Sequence, residues 1–102
     1  MTVLINAPFN LSDEAKKEIE NNIKDLSTLN DRITRGVVYF KMDDGNGSDT
    51  VTAEIELHVP GPVLFASNED KQYKVALDGA IDKIKRQIKR SKEKRGDFHA
   101  AG

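Results

Sequence analysis

Residues 50–59, TVTAEIELHV, alternate without a break: Val51, Ala53, Ile55, Leu57 and Val59 are apolar, and Thr52, Glu54, Glu56 and His58 between them are polar. Successive side chains on a strand point to opposite faces, so this pattern describes a strand with one face buried and the other in water. Before it stands DDGNGSD at 43–49, a cluster of turn-forming residues. Before that comes VVYFKM at 37–42, β-branched and aromatic, which reads as a partner strand. After it, Val59-Pro60-Gly61-Pro62 fits a type II turn, with proline second and glycine third. Residues 63–66 then read as a short strand, and Pro62 at its start suits an edge position that need not donate to a ladder. TVLIN at 2–6 reads as a short buried strand.

Two helical patterns complete the chain. Ser12 is an N-cap candidate followed by Asp13 and Glu14, whose charges suit a helix start. Ala15, Ile19, Ile23 and Leu26 then recur at spacings of four and three, predicting a helix over about 13–27. Ser67 or Asn68 reads as the cap of a second helix, with Glu69 and Asp70 in its first turn. Its apolar stripe is Tyr73, Leu77, Ala80, Ile81, Ile84 and Ile88, and Gly96 is the expected stop. The order is β-α-β-β-β-α. A right-handed crossover makes the first two strands parallel neighbours, and the hairpins add antiparallel strands. The expected fold class is α+β: a two-layer sandwich of a four-stranded mixed sheet with both helices on one face.

At 102 residues, 37% hydrophobic and 32% charged, the chain suits one domain with a modest core and a heavily charged surface. Residues 1–95 are the expected domain, and 96–102 a disordered C-terminal tail. No apolar run approaches the ~18–20 residues of a membrane span, so no membrane partner is expected. The first nine residues lack a signal-peptide pattern. With no cysteine there is no disulfide, thiolate zinc site or cysteine nucleophile. A cytoplasmic location is expected.

The formal net charge of −1 hides an asymmetry. Residues 71–95 hold ten basic and three acidic side chains, a sum of +7, against −8 for the rest of the chain. Between Lys83 and Lys92 every charged residue is basic, and there are six of them. With Ile84 at the centre of the buried face, helical geometry places Lys83, Lys85, Arg86, Lys89 and Arg90 around the outer arc. Solvated helix faces ordinarily mix both signs. A rigid rod of cations instead neutralises several phosphates at once and releases their counterions. The segment therefore points to a polyanion.

Other constellations have plainer readings. Tyr73 and Phe40 fall on apolar faces and are expected in the core. Asp43, Asp44 and Asp49 lack the register and the distal glutamate of a calcium loop, and no metal is expected there. His58 reads as a lone exposed histidine on the polar strand face. No Ser/His/Asp set or carboxylate pair has catalytic spacing, so no enzyme activity, cofactor or small-molecule substrate is expected.

The run YKVALDGAIDKIKRQIKRSKEK at 73–94 resembles the second helix of the ribosome hibernation promoting factor family, which includes the ribosome-associated inhibitor and is also called the sigma-54 modulation protein family. Asp31-Arg32-Ile33 and GPVLFAS at 61–67 agree with it, and the resemblance covers about residues 2–95. It implies the same β-α-β-β-β-α fold. It implies binding to the small ribosomal subunit and its ribosomal RNA, in the channel used by messenger RNA and by transfer RNA in the A and P sites, where the factor blocks initiation and preserves idle ribosomes under stress or in stationary phase. Lys83, Arg86, Arg90, Lys92, Lys94, Lys16 and Arg32 fall where the family carries basic residues, and Lys85 and Lys89 are additional cations. Asn22 and Asp25 stand where relatives often have lysine. The chain resembles the short form, without a dimerisation domain, so a free monomer is expected. Short forms support ribosome dimers together with a separate small modulation factor.

Two other classes stand beside this one. A general structured-RNA-binding domain is suggested by the related architecture of double-stranded-RNA-binding domains, although Asn68-Glu69-Asp70-Lys71 lacks their lysine cluster. A small phosphate-ester hydrolase would fit the size, but no residue set motivates it.

Overall fold

The computed structural model describes residues 1–43 and 49–101, with side chains described as far as Arg90. The turn at 44–48, read as part of a solvated hairpin, lies outside the described residues, as do the side chains of Lys92 and Lys94. The elements are β1 (Thr2–Asn6), α1 (Asp13–Lys24), a 3-10 turn (Asp25–Thr28), β2 (Arg35–Asp43), β3 (Thr50–His58), β4 (Leu64–Asp70) and α2 (Tyr73–Ala101). The sheet order is β1-β2-β3-β4. β1 runs parallel to β2, and β2, β3 and β4 are mutually antiparallel. This is the expected two-layer α+β sandwich.

The alternation in β3 sets the layers. Val51, Ala53, Ile55 and Leu57 are buried beneath both helices, and the polar residues between them lie on the other face. Ile19, Ile23 and Leu26 from the first helical segment, and Ala76, Leu77, Ala80, Ile81, Ile84 and Ile88 from α2, close the core. Among the described residues no polar or charged side chain is buried there. Ser12 caps α1 as its sequence suggests, its Oγ accepting from the Ala15 N–H at 3.0 Å. Phe9, Phe40 and Tyr73 form a ring cluster with centroids 5.4–5.7 Å apart, at the end of the sheet where α2 begins.

Four local readings change. β1 is an edge strand rather than a buried one: among the described residues nothing pairs with its outer side, and Leu4 is half exposed on the outer face. That face is also less polar than β3 alone suggests, because Leu4, Val37, Glu56 and Phe65 form one row across it. β4 continues to Asp70, so Ser67 and Asn68 are strand residues, not caps. They pair with Glu54 and Ala53, and the ladder overrides the local capping preference. Asp70 Oδ2 instead accepts from the Gln72 N–H at 3.0 Å, and α2 starts at Tyr73. Finally, α2 runs past Gly96 to Ala101. A glycine inside a helix costs only about 1 kcal/mol and does not by itself stop one, and no proline follows it.

Two glycines have specific reasons. Gly61 has φ 109°, as the third position of the expected type II turn requires. Gly79 lies where α2 crosses β4: a Cβ there would run into the side-chain amide of Asn68. Gly79→Ala, favourable for an isolated helix by about 1 kcal/mol, should therefore destabilise the protein by roughly 1–3 kcal/mol, as overpacking does. In an Asn68→Ala background the same change should be neutral or stabilising. Thermal melts of the four-member cycle check this, and additive effects would reject the contact.

Candidate nucleic-acid interface

The cations of α2 divide by what lies beside them. Lys83 and Gln87, one turn apart, face the open edge of β4. Lys83 Nζ donates to Ser67 O at 2.9 Å and Gln87 Nε2 donates to Phe65 O at 2.6 Å. Four helical residues rise about 6 Å and two strand residues about 6.6 Å, so the spacings match. These bonds satisfy carbonyls that the edge strand would otherwise leave unpaired. They also show that α2 runs antiparallel to β4, so that by Arg90 the helix has reached the first residue of that strand and its later turns extend beyond it. Lys85 and Lys89 lie on the flank toward α1, and Arg86 and Arg90 on the crest, at about 100° per residue.

Lys83, Lys85, Arg86, Lys89 and Arg90 are all exposed. Among the described residues none of them is in an ion pair, not even Arg86 with Asp82 one turn before it. By contrast, α1 compensates its own charge. Lys24 pairs with Glu20 at 2.8 Å, and this hydrogen bond and charge hold the Glu20 carboxyl below its ordinary range, with Lys17 adding a smaller pull. The groove between the helices is acidic where they run side by side. Glu18, Asn22, Asp25, Asp78 and Asp82 line it, with Lys74 at one end and Lys85 at the other. Among the described residues, the concentrated positive surface is thus the middle of α2, from Lys83 to Arg90, not the space between the helices.

The sequence-predicted residues separate accordingly. Lys85, Arg86, Lys89 and Arg90 come together as one uncompensated strip. Lys83 adjoins it but is partly engaged by β4. Lys16 is exposed on α1 and is absent from the α1–α2 groove. Arg32 is exposed in the loop before β2. Its loop is tied to the end of β3 by the Thr34 N–H donating to His58 O at 2.9 Å, which is the end of the sheet toward which α2 runs. Arg35 was not anticipated. It is exposed at that same end, and its Nη2 is 3.1 Å from His58 Nε2. Its place on the outer register of β2, in step with Val37, Tyr39 and Lys41, was the available signal. His58 is not a lone exposed residue: it is half-buried, with Nε2 2.6 Å from Glu56 Oε1. Among the described residues no group of three or more carboxylates and histidines is placed to hold a metal, and no helix is long and apolar enough to cross a membrane.

The site is an α+β sandwich carrying a helix whose described cations have no ion-pair partner among the described residues. Residues 6–96 match the model of the Sigma 54 modulation protein / S30EA ribosomal protein family, and the chain belongs to that family. The ribosome hibernation promoting factor of Escherichia coli K12 is 38% identical over 64 residues, which span 63% of this chain and 63% of that protein. The Klebsiella oxytoca protein of the same name is 36% identical over 69 residues, 68% of each chain. The fold is shared with the Protein Y N-terminal domain of Thermus thermophilus, at a TM-score of 0.72 and 24% identity, covering 88% of this chain and 98% of that one. It is shared also with a ribosomal subunit interface protein of Coxiella burnetii, at 0.78 and 15%, covering 91% and 99%.

Proposed function

We propose that this chain is a ribosome hibernation factor that binds the small ribosomal subunit through the cationic middle of α2, in the channel used by messenger RNA and by A- and P-site transfer RNA. The observation that carries the reading is the strip Lys85–Arg86–Lys89–Arg90, exposed and without ion-pair partners among the described residues. Membership of the family and the names of its relatives supply the ribosome as the polyanion. Arg32 and Arg35 extend the contact at the same end, and Lys83 contributes what β4 leaves free. Lys92, Lys94 and Lys16 are proposed as peripheral contacts. The protein acts free of cofactor, as a monomer in the cytoplasm, and ribosome dimers would need a separate modulation factor.

The mechanism is occlusion. A folded domain held along ribosomal RNA in the decoding channel leaves no room for messenger or transfer RNA. In an in vitro translation assay titrated with the protein, inhibition should be stoichiometric with ribosomes, relieved by excess messenger RNA or initiation factors, and leave ribosomal RNA intact on a gel. Sub-stoichiometric inhibition with cut RNA would instead make it a nuclease. Equal affinity for free duplex RNA and for small subunits in sedimentation would reduce it to a general RNA-binding domain.

A further inference from the structure

A second surface, at the other end of α2, has a different chemistry. Phe9, Met42, Val51 and Tyr73 floor an apolar pocket of about 350 Å³, rimmed by Lys71, Gln72 and Lys74. The floor is stiff. Phe40 is buried behind it and meets Tyr73 edge-on at 87°, and Phe9 is tilted against both rings. Phe9 and Tyr73 are only half-buried, and the Met42 side chain, 55% exposed, lies open beside them. A polarisable thioether next to aromatic rings suits a flat, polarisable guest. No carboxylate lines the pocket. Lys71 and Lys74 are exposed, and among the described residues neither is in an ion pair. The nearby Asp70 carboxylate accepts from the Gln72 backbone N–H.

We propose that this pocket takes one unstacked base of a single-stranded RNA segment, with Lys71 and Lys74 on the flanking phosphates and the exposed Gln72 amide at the base edge. Single-stranded RNA is held by this combination of aromatic or apolar platforms with cations along the backbone. Charge complementarity favours an anionic guest, since among the described residues Lys71 and Lys74 are the only charged ones that line the pocket, and the aromatic floor suits the flat face of a base. The two surfaces lie about 24 Å apart along one helix, from residue 73 to residue 89. Asp78 and Asp82 stand between them, so they engage separate RNA segments rather than one continuous backbone. The proposal rests on the reading of the protein as an RNA binder, and it adds a base-reading contact to a phosphate-reading one.

The test uses the methyl resonance of Met42 in protein labelled at its methionine methyl groups, titrated with a six-residue oligoadenylate. The expected result is an upfield ring-current shift of Met42 that an abasic oligomer of equal length does not produce. It should persist in a chain whose strip cations Lys85, Arg86, Lys89 and Arg90 are all changed to glutamate. Lys71→Glu with Lys74→Glu, both surface positions, should weaken the oligoadenylate titration, and Met42→Ala, read by the fluorescence anisotropy of a labelled oligoadenylate, should weaken binding by about 2- to 10-fold, as loss of a sulfur–aromatic contact does. Equal shifts with the abasic oligomer would overturn base insertion. A silent Met42 with wild-type ribosome binding would overturn the pocket while leaving the strip intact, and loss of ribosome binding by the strip variant alone would leave the pocket intact. A Met42 shift produced by an acidic peptide with an aromatic anchor, but not by oligoadenylate, would overturn RNA in favour of protein.

Discussion

Changing Lys85, Arg86, Lys89 and Arg90 to glutamate in one chain will abolish co-sedimentation with small subunits at physiological salt and leave the fold intact. The four side chains are exposed and point away from the stripe of Leu77, Ile81, Ile84 and Ile88 that seats the helix, so their loss removes no core contact. With no carboxylate partners among the described residues, they arrive at a polyanion with their charge unspent. If each meets one phosphate, the slope of log affinity against log salt should fall by about 0.7–0.9 per contact, or roughly 3 for the set. Lys83 provides the internal contrast. Its ammonium already donates to Ser67 O, so Lys83→Met should weaken binding less than Arg86→Met and lower the melting temperature more. A folded fourfold variant that binds as wild type would place the ribosome contact elsewhere on the molecule.

What could be read from the chain divides along the range of the interactions involved. Periodicity is local, so the alternation of β3, the stripe of α2 and the cap at Ser12 all gave the correct layer and face. The cationic arc of α2 was legible for the same reason, since a helix fixes where every fourth residue points. Strand pairing is not local. Ser67 and Asn68 have the chemistry of caps, and only the ladder to Glu54 and Ala53 makes them strand residues. The role of Lys83 and Gln87 in covering β4 depends on that same longer strand, as does the close approach that keeps Gly79 a glycine. The pocket at Met42 joins residues from four separate stretches of chain, and no pattern in any one of them announces it. Arg35 was overlooked because one cation at the start of an apolar strand carries no period of its own.

The largest effect on stability is expected from Ile84→Ala. Ile84 is fully buried, with Ile88 one turn on and Ile81 and Ala80 beside it, beneath the middle of the strip. Truncation removes three carbons from a site with no solvent to refill it, and such changes cost about 2–5 kcal/mol. For a domain of this size, with about 5–15 kcal/mol in total, that is a large fraction, and at roughly 4–8 °C per kcal/mol the melting temperature should fall by about 8–40 °C. Arg86→Ala, two residues away on the crest, should change it by no more than about 2–4 °C, since an exposed side chain without partners contributes within about 0.5 kcal/mol. The two residues therefore separate seating from binding. Ile84→Ala should still sediment with small subunits at temperatures where it remains folded, whereas a protein lacking the cations of the crest should melt normally and fail to bind. The reverse pattern, an Ile84→Ala variant that melts like wild type yet no longer binds, would mean that α2 is rotated and that its apolar stripe, not its cationic crest, meets the ribosome.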